Sequence, residues 1–126
     1  MITEDYVSFE VAKLLKEKGF NEECDVAYSK INGEYLLNDV VDDYGYGSTN
    51  SYLECKNEMS APTLQMAMKW LRTKKLIILI GVSKNNYYNA KILDTRSNGY
   101  VKIGGYDAYE EAEEEAIKYC LTTLID

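Results

Sequence analysis

The stretch "VVDDYGYGSTNSYLE", Val40 to Glu54, brings three carboxylates, three tyrosines and two glycines together in fifteen residues. Such residues could ligate a hard cation, cradle a phosphate or present an aromatic recognition loop. Asp39, Asp42 and Asp43 supply the oxygens that Mg2+ or Ca2+ would take. An EF-hand alignment from Asp43 to Glu54, however, puts Ser48 where the sharp turn requires glycine, and the pattern fails. "YGYGSTN" holds a G-x-G, but it lacks both the P-loop lysine and the third glycine of a dinucleotide fingerprint. The recognition loop survives. Tyr44, Tyr46 and Tyr52 are amphipathic rings that bury area at low entropic cost, flanked by glycines that let the chain turn.

A second group of chemistry-bearing residues is "KWLRTKK", where Lys69, Arg72, Lys74 and Lys75 place four positive charges in seven residues around Trp70. It could hold an anion or an acidic partner, with Trp70 available for stacking or cation–π contact. Lysines at a helix C-terminus also complement the helix dipole without any ligand. No catalytic residue stands out. The chain has no histidine, which removes Ser-His-Asp and Cys-His nucleophilic machinery and histidine-ligated zinc. Cys24, Cys55 and Cys120 are odd in number and widely spaced, so buried reduced thiols are expected, with neither a disulfide framework nor a zinc knuckle. No cofactor or metal is assigned.

The elements that position these groups can be read in order. Ser8 caps a first helix over "SFEVAKLLKEKGF", Gly19 ends it, and Phe20 folds back onto the last turn. Asn32-Gly33, between two short runs rich in tyrosine, valine and isoleucine, predicts a hairpin with a type I′ turn. The segment from Val40 to about Ser60 is read as a mobile loop without elements of its own, a length that in a compact domain is functional or disordered. Ser60 and Pro62 then open a second helix, with Leu64, Ala67, Met68 and Leu71 as its apolar stripe. "LIILIGV", Leu76 to Val82, starts a three-stranded meander and is expected at its centre, covered on both sides. A capping box at Asp107 to Glu110 starts a last helix that turns Ala112, Ala116, Ile117, Cys120, Leu121 and Leu124 inward and its glutamates outward. The expected fold is α+β: helix, β-hairpin, helix, three-stranded antiparallel meander and C-terminal helix, with helices packed on an antiparallel sheet in a single domain, 1–126.

Bulk composition bounds the function. Apolar residues make up 46% and charged residues 28% of 126, a globular balance in a chain long enough for one core. The longest strongly apolar run is far short of the ~20 residues that span a bilayer, and no basic segment followed by an apolar one opens the chain, so a cytoplasmic protein is expected. Net charge is −7, and from Gly105 onward seven acids face Lys118 alone. A phosphate backbone would be repelled there, which argues against nucleic acid as the partner. Twelve tyrosines stand against two phenylalanines. Tyr28, Tyr35, Tyr87, Tyr88 and Tyr100 fall on predicted strands, where cross-strand pairing accounts for them.

Three passages, "YVSFEVAKLLKEKGF", "SAPTLQMAMKWLR" and "YEEAEEEAIKYCLTTLI", resemble a group of small uncharacterised proteins encoded in phages, prophages and other mobile elements of gut Bacteroidetes. In that group the middle helix continues with a glutamate; here Thr73-Lys74-Lys75 follow, which makes the basic cluster particular to this chain. The resemblance implies a setting, a mobile-element accessory protein in a bacterial cytoplasm, and transfers no catalytic residue. The leading expectation is a non-catalytic protein-binding module that uses the Tyr-rich loop and the adjacent sheet. A small-molecule, nucleotide-like binder is the alternative, and a carboxylate-based metal enzyme ranks third.

Overall fold

The structure, a computed structural model, describes residues 5–125 apart from the side chain of Cys55, so the reading of Cys55 as a buried thiol lies outside the described residues. The fold is α+β, and the chain divides into two compact units, Met1–Thr63 and Leu64–Asp126, each with its own three-stranded antiparallel sheet.

In the first unit, helix α1 (Phe9–Glu17) begins where the Ser8 hydroxyl accepts from Val11 N at 3.2 Å. It buries Val11, Ala12 and Leu15 and stops at Gly19, whose φ of 94° suits a residue without Cβ. Gly19 N donates to Lys16 O at 3.2 Å and Phe20 N to Leu15 O at 2.9 Å, the paired bonds of a Schellman motif, and Phe20 is buried. Strands β1 (Val26–Ile31) and β2 (Glu34–Asp39) form the predicted hairpin. Asn32 and Gly33 both have positive φ, 52° and 85°, as a type I′ turn demands. Phe9 stacks on Tyr35 at 4.5 Å and meets Tyr28 edge-on at 5.6 Å, so α1 lies over the sheet face that carries these tyrosines.

The segment expected to lack elements has three. Helix α2 (Asn50–Leu53), a 3-10 turn (Glu54–Lys56) and strand β3 (Met59–Ser60) occupy its second half, and β3 pairs with β1 to give the order β2-β1-β3. Ser60 is therefore a buried strand residue and not a helix cap. Helix α3 (Leu64–Thr73) starts later than expected, two residues beyond Pro62, whose carbonyl instead accepts from Val7 N at 3.0 Å.

In the second unit α3 buries Leu64, Ala67, Met68, Trp70 and Leu71. Strands β4 (Leu76–Val82), β5 (Tyr88–Asp94) and β6 (Gly99–Tyr106) follow as the predicted meander. The order β4-β5-β6 corrects the expectation for "LIILIGV": it is an outer strand, with Leu79 and Val82 more than half exposed, and β5 is the centre. Helix α4 (Tyr109–Tyr119) runs into a wider π turn (Cys120–Leu124). Its N-cap position is Ala108, without a side-chain bond, so Asp107 does not close the expected box. One glutamate also departs from expectation. Glu113 is buried, and its carboxylate accepts from Gln65 Nε2 at 3.1 Å, which keeps a polar group in the interior satisfied.

Leu53 is 1% exposed although its helix has only four residues. Leu53→Ala is expected to lower stability by about 2–5 kcal/mol, as buried leucine truncations do. Tyr44→Ala, at a side chain 86% exposed, should change it by less than about 0.5 kcal/mol. Urea denaturation of both variants checks the contrast, and equal midpoints would show that α2 is not packed.

Candidate functional site

The residues from Val40 to Thr49 form a closed loop held by its own backbone and by carboxylates. Val40 N donates to Asp25 O at 2.9 Å and continues the hairpin past β2. Asp39 Oδ1 accepts from Val41 N at 2.8 Å, and Asp42 Oδ1 accepts from both Tyr44 N and Tyr46 N at 2.9 Å. Gly45, at φ 84°, makes the turn between them. The far side of the loop is fixed to the chain before β1. Cys24 and Ser48 exchange both backbone bonds, at 2.9 and 2.8 Å, and Glu23 Oε1 accepts from Gly47 N at 2.7 Å. Two further ties secure α2: Asn21 Oδ1 accepts from Ser51 N, and buried Asn50 donates to Phe20 O while accepting from Ser60 N, each at 2.8 Å.

This frame presents the tyrosines outward. Tyr44, Tyr46 and Tyr52 are 86%, 64% and 56% exposed. Beside them stand Ile31, Tyr35, Leu36, Leu37 and Val41, all exposed, so eight large apolar side chains between Ile31 and Tyr52 face solvent. The leucines of β2 are a feature the sequence reading missed; "EYLLND" carried the signal, two adjacent leucines that an arm of an edge hairpin cannot both bury.

Under the loop lies a cavity of about 620 Å³, lined by residues of β2, the loop and α2. Glu23, Asp39, Asp42 and Glu58 contribute carboxylates to its wall, and Lys56 contributes the basic group. Lys56 Nζ sits over the Tyr52 ring, 4.7 Å from its centroid. Glu58 accepts from the Ser29 hydroxyl in a very short hydrogen bond. Of the three loop tyrosines Tyr52 alone reaches the cavity, so Tyr44 and Tyr46 do not converge on it. Among the described residues no group of three or more histidine, cysteine, aspartate or glutamate side chains is arranged to hold a metal ion.

The basic group belongs to the second unit. Lys69, Arg72, Lys74 and Lys75 are exposed at the end of α3 and in the turn after it. Trp70 is 7% exposed, and Lys74 Nζ lies 5.2 Å from its ring centroid. Its position on the apolar stripe of α3 corrects the expectation that it is available for stacking. Lys75, at φ 70°, turns the chain into β4 and accepts at its carbonyl from Thr95.

Cys24 and Cys120 are not activated nucleophiles. Burial pushes the Cys24 thiol up to about 11 and the Cys120 thiol up to about 12, against an ordinary 9.0, and neutral buried thiols are inert. In comparisons with known proteins the chain matches no family model, no curated protein and no solved structure. Among the described residues no helix is long and apolar enough to cross a membrane.

Two outcomes follow. A Cβ built on Gly47 falls 2.3 Å from the carbonyl oxygen of Cys24, a backbone atom, so Gly47→Ala must push the loop off its anchor. A loss of about 1–3 kcal/mol is expected, together with faster amide exchange across residues 40–49. Because both thiols have raised folded-state pKa values, their neutral forms stabilise the fold fully below pH 9.0, and that contribution disappears as pH rises through about 11 to 12. Thermal unfolding followed across this range should show a steeper alkaline decline for the natural chain than for a Cys24→Ala, Cys120→Ala double variant.

Proposed function

We propose that the protein is a non-catalytic accessory protein, working in the bacterial cytoplasm in the mobile-element setting its sequence resembles, that binds another protein through the tyrosine loop and the β2 face. One observation carries this reading: eight large apolar side chains between Ile31 and Tyr52 are exposed, on the hairpin, on α2 and on a loop whose backbone is already bonded. Exposed apolar side chains concentrated in one segment mark interaction sites, and an ordered loop loses little entropy on docking. Tyrosine is the residue type recognition loops use for such contacts.

The nucleotide-like alternative gains no support from the cavity, because four carboxylates against one lysine repel a phosphate. The third reading, a carboxylate-based metal enzyme, needs acids that converge on one point. Asp39 and Asp42 each direct an oxygen to loop backbone instead.

Deleting the loop would also remove the Cys24–Ser48 bonds and damage the fold, so point changes are the sound test. Affinity capture from host cytosol, followed by titration of the recovered protein in pure form, should give a complex that Tyr44→Ala with Tyr46→Ala weakens at least tenfold. Unaltered affinity in that double variant, with its fold intact, would defeat the proposal.

A further inference from the structure

Strand β2 is an outer strand of its sheet, and all six of its residues are exposed. The hairpin register fixes which of its backbone groups lack a partner in the sheet. A two-residue turn makes Ile31 and Glu34 a hydrogen-bonded pair, so Leu36 and Asn38 also bond β1, whereas Tyr35, Leu37 and Asp39 turn N–H and C=O outward. The bond from Val40 N to Asp25 O keeps the same phase. Leu36 and Asn38 share the sheet face of Ser29, whose hydroxyl bonds Glu58, and Asn38 itself lines the cavity. An open row of backbone groups therefore leads along exposed leucines to a concave acidic end.

Charge selects the occupant. From Glu22 to Glu58 the chain has nine acids against Lys30 and Lys56. In the cavity wall Glu23, Asp42 and Glu58 each use one oxygen to hold the protein's own structure, and their charge remains uncompensated there except by Lys56. A second copy of this chain would bring an identical acidic segment and another net charge of −7 against the first. Complementarity demands the opposite sign. Resting on the protein-binding reading and specifying its partner, we infer that β2 is extended by a strand from a basic segment of that partner, in which apolar residues alternate with arginine or lysine. Its backbone bonds Tyr35, Leu37 and Asp39, an apolar side chain covers Leu37 on one face, and on the opposite face the basic side chain beside Asn38 enters the cavity. Strand addition of this kind draws affinity from main-chain bonds and selectivity from alternate side chains.

The probe is a short synthetic peptide alternating arginine and valine, fluorescently labelled and titrated into the full chain. A glutamate-valine peptide is the control. Saturable binding of the basic peptide alone is expected, with slowed amide exchange at Tyr35, Leu37 and Asp39. Glu23→Gln with Asp42→Asn keeps the acceptor oxygens of the loop but removes two charges, and should weaken binding about tenfold and flatten its salt dependence. Leu37→Pro removes an outward N–H that β1 does not use, and should also abolish protection. Equal binding of the acidic peptide, unprotected β2 amides at saturation, or a stable homodimer that hides β2 would each overturn the inference. A natural partner that depends on Tyr44 and Tyr46 yet is indifferent to Leu37→Pro and to the charge-removing pair would overturn it too, while leaving the protein-binding reading intact.

Discussion

The antiparallel bridge between Cys24 and Ser48 is the constraint on which the first unit's surface depends. It joins positions 24 residues apart with two short backbone bonds, and it sits directly beside Gly47, where an added Cβ would collide with the Cys24 carbonyl. Only a residue without a side chain fits there. Once that closure is made, the rest of the loop has little freedom left: Val40 is already bonded to Asp25, and Asp42 gathers Tyr44 and Tyr46 on one carboxylate oxygen. On the proposed reading, the entropic cost of ordering the loop that carries the tyrosines is met within the fold rather than on docking.

Closure also explains how a four-residue helix can persist. Isolated helices of that length are unstable in water, because nucleation fixes several residues for a single bond. Here Thr49 caps α2, and Asn50 ties it to the end of α1 and to β3 through a buried amide that satisfies both its neighbours. Leu53 then contributes the burial. Removing any one of these leaves a polar group or an apolar side chain unmatched, so the segment behaves as a structural joint between helix and sheet.

What the sequence made legible were the features set by local chemistry. Ser8, Gly19 and Phe20 delimit α1 as their side chains dictate, and Asn32-Gly33 gives the turn that its φ preferences demand. The order of helix, hairpin, helix, meander and helix could be read for the same reason. The features it hid depend on partners far away in the chain. No periodicity announces α2, because it is held by Asn21 and Phe20 some thirty residues earlier. "LIILIGV" reads as central because an apolar run reports cover on the faces of a strand, and says nothing of which neighbours it pairs with. Glu113 read as solvated until Gln65, 48 residues away, was placed beside it. At the candidate site the loop tyrosines were visible as exposed aromatic residues, whereas Leu36 and Leu37 gained meaning only once β2 proved to be an outer strand.

An outer strand with exposed leucines is a hazard in any soluble protein, since its open backbone can template pairing with further copies. Charge is the usual defence, and here it is concentrated beside the hazard: Glu34 and Asp39 end the strand, and Asp42 and Asp43 follow it. Acids in these positions act in two directions at once. They raise the cost of self-association, because two copies would bring like charges together, and they lower the cost of meeting a basic chain in the same groove. On the proposed reading the acidity around β2 is thus part of recognition as well as of solubility. A neutral rim would leave the same leucines equally exposed while removing the means of distinguishing a partner from a sibling.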